Sequence, residues 1–122
     1  ENTLNRAIKL FETYNCNDQI TTHLASFSQF ISSLPSNQTY DLIYIDGHHN
    51  YQATLQYFDA MLAHAHENTI FIIDDIYWSK GMTKAWKSIY QHPKIHVSID
   101  IFYWGIGFLR TQQAKEHFRI RI

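Results

Sequence analysis

Four side chains in this sequence have the types and the spacing for chemistry: Asp46, His49, Asp74 and Asp75. Asp46 closes the apolar run Tyr40-Asp41-Leu42-Ile43-Tyr44-Ile45 and is followed by Gly47-His48-His49. The acidic pair closes a second run, Ile70-Phe71-Ile72-Ile73. Paired strands lie about 5 Å apart, so if the two runs are neighbours their terminal carboxylates converge. Acids held together raise one another's pKa unless a cation or a donor answers them. A hard divalent cation such as Mg²⁺, which takes oxygen ligands and water, is the natural answer. His49 lies three residues beyond Asp46, where it could ligate a metal or act as a general base near neutral pH. Gly47 is expected to give the backbone its sharp turn. A plainer reading stands beside this one, since an Asp at a strand end often only caps the following turn. Adjacent residues diverge, so His48 is released from the site. Tyr51 and Trp78 could line an acceptor pocket or pack on the core.

The elements that must position these residues follow from hydrophobic period. Leu4, Ala7, Ile8 and Phe11 predict an amphipathic helix over 3–14, ended by Asn15-Cys16-Asn17-Asp18. Ile20 to Leu24 is expected as a short strand. Ser26-Phe27-Ser28-Gln29 has the form of a capping box, opening a helix through Phe30, Ile31 and Leu34 to Pro35. Tyr40 to Asp46 and Ile70 to Ile73 run apolar without alternation, as strands covered on both faces of a parallel sheet do. Between them a helix over about 51–66 carries Leu55, Phe58, Leu62 and Ala65 on one face. That places His64 and His66 in its last turn, where imidazolium is favoured. A further helix from Gly81 presents Met82, Ala85, Trp86, Ile89 and Tyr90 and stops at His92-Pro93. The tail alternates: Ile95, Val97, Ile99 and Ile101, then a β-prone piece, Ile106 to Arg110, with Gly105 and Gly107 on either side of its first residue, then Phe118, Ile120 and Ile122. It predicts an antiparallel edge with one solvated face. The whole is an α/β layered sheet.

Bulk composition narrows the function classes. A chain of 122 residues is expected to form one domain with a single core. A formal net charge of −1 gives no field for nucleic acid or an anionic membrane. Cys16 stands alone, so no internal disulfide forms and a reducing compartment, the cytoplasm, is expected. No apolar stretch approaches a membrane span. Receiver domains place the acidic pair before the single acid, and the Asp-x-Asp phosphotransferases need a different spacing. Neither matches, and no nucleophile elbow, P-loop, CxxC or HExxH is present.

With those residues in view, the chain resembles a family. Tyr-Asp-Leu-Ile-Tyr-Ile-Asp-Gly-His-His-Asn-Tyr (40–51) is similar to the fourth-strand motif of class I S-adenosylmethionine-dependent methyltransferases. It is most similar to the small-molecule O-methyltransferase branch, where an IDG-x-H-x-Y phrase is common. Ile-Phe-Ile-Ile-Asp-Asp-Ile (70–76) looks like the fifth strand, and Val97 to Arg110 like strands six and seven. The resemblance implies a Rossmann-like doubly wound sheet of strand order 3-2-1-4-5-7-6, and metal ligands at Asp46, Asp74 and Asp75. It makes His49 the base, at a position where catechol-type members hold a lysine and some sugar or macrolide relatives a histidine. It places Ser26 and Phe27 against the adenine, with Asp46 also on the cofactor side.

The family's first two strands and glycine-rich cofactor loop have no counterpart among residues 1–122. The chain therefore reads as the C-terminal portion of a methyltransferase domain, and the inner edge of Tyr40–Asp46 as unpaired. An apolar edge of that kind recruits a partner, a second copy included. The expected function is methyl transfer from S-adenosylmethionine to an oxygen of a small-molecule acceptor, assisted by Mg²⁺ or another divalent cation. The rival expectations are a non-catalytic binding or dimerising remnant of the same fold, and a divalent-metal hydrolase using the same acids.

Overall fold

The structure, a computed structural model, describes residues 3–121. The chain forms two compact units, one up to Ser33 and one from Leu34 onward. In the first, helix α1 (Thr3–Thr13) half-buries Leu4, Ala7, Ile8 and Phe11 on one face, as the spacing predicts. Asn15 closes it in the left-handed region (φ 53°), and the Cys16 amide donates back to the Phe11 carbonyl at 2.9 Å. Helix α2 (Phe27–Ser33) opens on the expected capping box. The Ser26 amide donates to Gln29 Oε1 at 3.0 Å, and the Gln29 amide donates to Ser26 Oγ at 3.3 Å.

The expected strand at Ile20–Leu24 does not form. A strand is held by its ladder, and among the described residues no backbone–backbone hydrogen bond joins this segment to a neighbouring strand. Ile20 and Leu24 stay exposed. β-propensity without a partner strand is not enough.

The second unit is a five-stranded sheet with two helices. Its strands are β1 (Tyr40–Ile45), β2 (Ala65–Ile73), β3 (Val97–Asp100), β4 (Gly105–Phe108) and β5 (Glu116–Arg119). They lie in the order β1-β2-β4-β3-β5. β1 and β2 pair in parallel, β4 runs antiparallel to both β2 and β3, and β5 runs parallel to β3. Helix α3 (Tyr51–Met61) makes the crossover from β1 to β2, and helix α4 (Lys80–Gln91) follows β2. Asn50 and Ser79 cap them, each side chain accepting from the amide three residues on. The first four strands reproduce the 4-5-7-6 half of the sheet that the sequence resemblance implies, and β5 is an addition at the outer edge. The expected alternation at Phe118 and Ile120 falls on β5 and the residue after it; Ile122 lies outside the described residues.

Three expectations change here. The helix predicted over 51–66 stops at Met61, passes through a 3₁₀ turn (Leu62–His64), and gives way to β2 at Ala65. His64 and His66 are therefore fastenings of the two strands. Buried His64 Nδ1 lies 2.9 Å from the Gln38 carbonyl, and His66 Nε2 lies 3.0 Å from Asp41 Oδ1.

Secondly, β1 and β2 are covered on one face. Ile43, Ile45, Phe71 and Ile73 are buried toward the helices, where the Phe58 ring meets Phe71 at 5.0 Å. On the other face Leu42 and Tyr44 are 54% and 45% exposed, and Ile70 and Ile72 half-buried. Register carries this apolar face on across β4 and β3 through Ile106, Phe108, Val97 and Ile99.

Thirdly, the alternation expected in β3 is present, and it is the polar set that goes inside, with Ser98 and Asp100 buried and Val97 and Ile99 half-buried. The reason is what α4 brings to that end of the sheet. Trp86 lies over Gly105, where an added Cβ would stand 2.6 Å from the indole, and Tyr90 stacks on His117 of β5 at 4.0 Å. Ser98 Oγ meets His117 Nδ1 at 2.8 Å, so the polar residues are satisfied under the helix. Among the described residues no helix is long and apolar enough to cross a membrane.

Candidate active site

Parallel pairing of β1 with β2 puts their carboxyl ends side by side, and the Asp74 amide donates to the Ile45 carbonyl at 3.0 Å. Ligands of open α/β sheets bind outside such ends. The backbone there is unusual. His48, His49, Asp75 and Phe102 all have positive φ, at 60°, 35°, 52° and 74°. These are four of the five such non-glycine residues described, and each lies just beyond a strand end. Left-handed geometry in residues with a Cβ costs roughly 1–3 kcal/mol and persists where surrounding structure over-determines it. Gly47 has no positive φ. The turn expected of the glycine is made by the two histidines.

The consequence is a defined orientation for each side chain. His48 Nδ1 lies 3.0 Å from the Tyr57 hydroxyl of α3, which gives this histidine the structural place expected of it. His49 turns the other way. Its Nε2 lies 3.5 Å from Asp46 Oδ1 and its Nδ1 3.7 Å from Asp75 Oδ2, with the Trp78 ring centroid 6.0 Å away. Both distances exceed a hydrogen bond. Nδ1 is buried without a hydrogen-bond partner.

Asp74 does not join that group. The left-handed Asp75 sends successive carboxylates apart. Asp74 Oδ2 accepts from the Tyr44 hydroxyl, and Oδ1 accepts from the Asp75 amide at 2.8 Å. The Tyr44 phenol is pushed up to about 12, first by that bond, then by burial and by the charges of Asp74 and Asp46. A bond from Trp104 pulls the other way. Tyr44 is thus a fixed donor to Asp74. Among the described residues no group of three or more His, Cys, Asp or Glu side chains is arranged to hold a metal ion. The expected ligand set Asp46, Asp74 and Asp75 is split, with both Asp74 oxygens occupied by protein donors. As it stands the donor set does not fit the cation.

Ser26 and Phe27, the residues expected against adenine, lie in the first unit. The Ser26 hydroxyl is engaged with Gln29 in the capping box, and the Phe27 ring is 41% exposed at the start of α2. Asp46 is half exposed.

Sequence reasoning missed the far side of this strand end. The β3–β4 hairpin carries Ile101, Phe102, Tyr103 and Trp104, and three of these (Ile101, Tyr103 and Trp104) line with Asp74 a cavity of about 320 Å³. The hairpin's anchor is Asp100, fully buried, whose carboxylate accepts from the Tyr77 hydroxyl, the Phe102 amide at 3.0 Å, Arg119 Nε at 3.3 Å and Arg121 at 2.9 Å. Burial by itself would raise the Asp100 pKa. The bonds from Arg121, Tyr77 and the Phe102 amide outweigh it and hold it at about 2. The Tyr77 phenol is raised, by burial and then by Asp100. The sequence signal was the spacing of Arg119 and Arg121 on a two-residue period, one strand away from Asp100.

The same architecture occurs in known proteins. A methyltransferase-domain family matches residues 3–76. No curated protein matches the chain. A solved structure from Klebsiella pneumoniae, described as a "putative O-methyltransferase", superposes with a TM-score of 0.72 at 14% identity. The match covers 86% of this chain and 56% of that one, so the chain spans little more than half the length of the protein it resembles. At that identity the likeness establishes the fold, a Rossmann-like sheet of the methyltransferase type.

Proposed function

Because the chain belongs to the methyltransferase domain family, the family its sequence resembles, we propose that it carries the acceptor-activating residues of an S-adenosylmethionine-dependent enzyme that methylates an oxygen of a small molecule. The observation that carries this reading is His49, held between Asp46 and Asp75 at the ends of paired parallel strands. The choice of oxygen follows the sequence resemblance and the description of the Klebsiella pneumoniae relative as an O-methyltransferase.

The residues at this end fit a cationic methyl donor. Among the described residues no Lys or Arg forms an ion pair with Asp46, Asp74 or Asp75, and neutral His49 lies between Asp46 and Asp75. When bound, S-adenosylmethionine supplies a methyl group on positively charged sulfur, already electrophilic. What the protein must add is alignment and a place for the acceptor's proton. His49 removes that proton as the oxygen–methyl bond forms and the sulfur–methyl bond breaks, leaving the electron pair on a neutral thioether. The imidazolium that results is stabilised by Asp46 and Asp75 on its two sides. Trp78, 71% exposed beside His49, shields the imidazole from one direction. Asp74, committed to Tyr44 and to the Asp75 amide, takes no part in the proton transfer.

The test uses the full-length protein, radiolabelled S-adenosylmethionine and a panel of hydroxylated small molecules. His49→Gln is expected to lower turnover by about 10²–10⁴, with donor affinity within a factor of about three of wild type. Wild-type turnover in the variant would remove His49 as base. Absence of donor binding by the wild-type protein would remove methyl transfer altogether. The non-catalytic, self-associating reading retains one supporting observation, the exposed Leu42 and Tyr44 on the outermost strand.

A further inference from the structure

The cavity at the end of β2 has a composition that the methyl-transfer reading leaves unused. Its walls are Tyr103 and Trp104, with Ile101 behind, and its one charged group is Asp74. The two rings are 67% and 43% exposed, although each belongs to a tightly held turn. The Ile101 amide donates to the Trp104 carbonyl and the Tyr103 amide to the Ile101 carbonyl, both at 3.0 Å. The Ile76 amide donates across to the Tyr103 carbonyl at 3.3 Å. Phe102, in its left-handed conformation, is stacked on Tyr77 at 5.6 Å, and the Arg121 guanidinium lies 5.7 Å from its ring. Asp74 is fixed with the same firmness by Tyr44, which itself meets the Trp104 ring edge-on at 6.4 Å. The backbone that carries these rings is thus firmly held.

A carboxylate between indole and phenol faces is complementary to one chemical class. Aromatic faces carry negative quadrupole potential and attract cations, most strongly when the cation is desolvated. Both donors that reach Asp74, the Tyr44 hydroxyl and the Asp75 amide, are neutral, so its charge is uncompensated by them. The charge of Asp46 is also felt at Tyr44 beside it, and clefts of one sign concentrate the opposite charge. Three cations of this unit are engaged elsewhere: Arg119 and Arg121 on Asp100, and Lys84 over the Tyr51 ring at 4.7 Å.

We infer that this cavity is the recognition subsite for a positively charged, ammonium-bearing acceptor, with Asp74 meeting the charge and Tyr103 and Trp104 enclosing its substituents. The acceptor is then a small amino alcohol or amino-substituted hydroxy compound, presenting its hydroxyl toward His49. The assignment of acceptor rests on the methyl-transfer reading; the binding of the cation does not.

The experiment separates the two. The full-length protein is titrated with benzyltrimethylammonium, with benzyl alcohol as the neutral analogue and benzoate as the anion, while tryptophan fluorescence is followed. The ammonium is expected to bind at least about tenfold tighter than benzyl alcohol, with benzoate weaker still. Asp74→Asn should reduce the preference for ammonium over alcohol to within about threefold. Tyr103→Leu, at an exposed position that leaves the core intact, should weaken the ammonium by about three- to tenfold. Saturating S-adenosylhomocysteine should leave ammonium binding in place. Equal binding of the three probes, or no ammonium binding, overturns the inference. Displacement of the ammonium by S-adenosylhomocysteine also overturns it, because the cavity is then the donor's. If the ammonium binds and S-adenosylmethionine does not, the subsite stands and the methyl-transfer reading falls.

Discussion

Replacing Asp100 by asparagine keeps the shape of the side chain and removes the charge on which one edge of the sheet converges. Asp100 is fully buried and accepts from Tyr77, the Phe102 amide, Arg119 and Arg121. Its pKa falls from 3.8 to about 2 on folding, which at about 1.4 kcal/mol per pH unit corresponds to roughly 2–3 kcal/mol. The folded value lies below the unfolded one, so this stabilisation is complete above about pH 4 and is lost as pH falls toward 2. The substituted side chain would also turn an amide N–H₂ toward donors, so the loss at pH 7 is expected to be roughly 2–3 kcal/mol or somewhat more. In a unit of this size that lowers the melting temperature by roughly 10–20 °C. Urea unfolding of wild type and Asp100→Asn, followed by tryptophan fluorescence at pH 7 and pH 2.5, measures it. The difference should be large at pH 7 and mostly gone at pH 2.5. A difference under about 0.5 kcal/mol at pH 7, or one that did not shrink with acid, would refute the assignment of that energy to the carboxylate.

Two further perturbations probe the same side of the molecule. Gly105→Ala places a Cβ 2.6 Å from the Trp86 indole, and should cost about 1–3 kcal/mol with a changed near-ultraviolet circular dichroism. A variant as stable as wild type would mean that Trp86 can move aside. The pKa of His117 is lowered by burial and by Arg119, against the opposing pull of Asp100. Its neutral form therefore favours the fold, and that contribution, present above about pH 6.5, is lost as pH falls through the lowered folded value. Amide exchange over Glu116–Arg119, corrected for intrinsic rates, should accelerate across that window, and His117→Phe should flatten the response.

The parts of the fold that were legible in the sequence are those set by local contrast. An apolar run that stops on an acid marks both a strand and its carboxyl end, so β1, β2 and the positions of Asp46, Asp74 and Asp75 could be read directly. The β1-β2-β4-β3 order matches the implied sheet through those two phrases together with the likeness of Val97–Arg110 to strands six and seven. What could not be read depends on partners distant in sequence. Period two in Val97–Asp100 shows that the two faces differ, but Trp86 and Arg121 decide that the polar one goes inside. The boundary at Ala65 is hidden because Ala65 and Leu62 suit a helical face equally well. Asp74 was read as a ligand because it adjoins Asp75. One backbone dihedral, φ 52° at Asp75, sends the two side chains to different tasks. His49 lies three residues past Asp46, close enough for the turn to return it to that carboxylate.

The Asp100 cluster also has a place in time. Arg119 and Arg121 are synthesised after every element they fasten, 19 and 21 residues behind the carboxylate that needs them. At translation rates of about 5–20 residues per second, Asp100 waits roughly 1–4 s before its partners exist. Without them the β3–β4 hairpin would have to bury a carboxylate whose charge is answered only by Tyr77 and the Phe102 amide. The fastening of this edge of the sheet therefore rests on residues that lie after every other element of the unit in the chain.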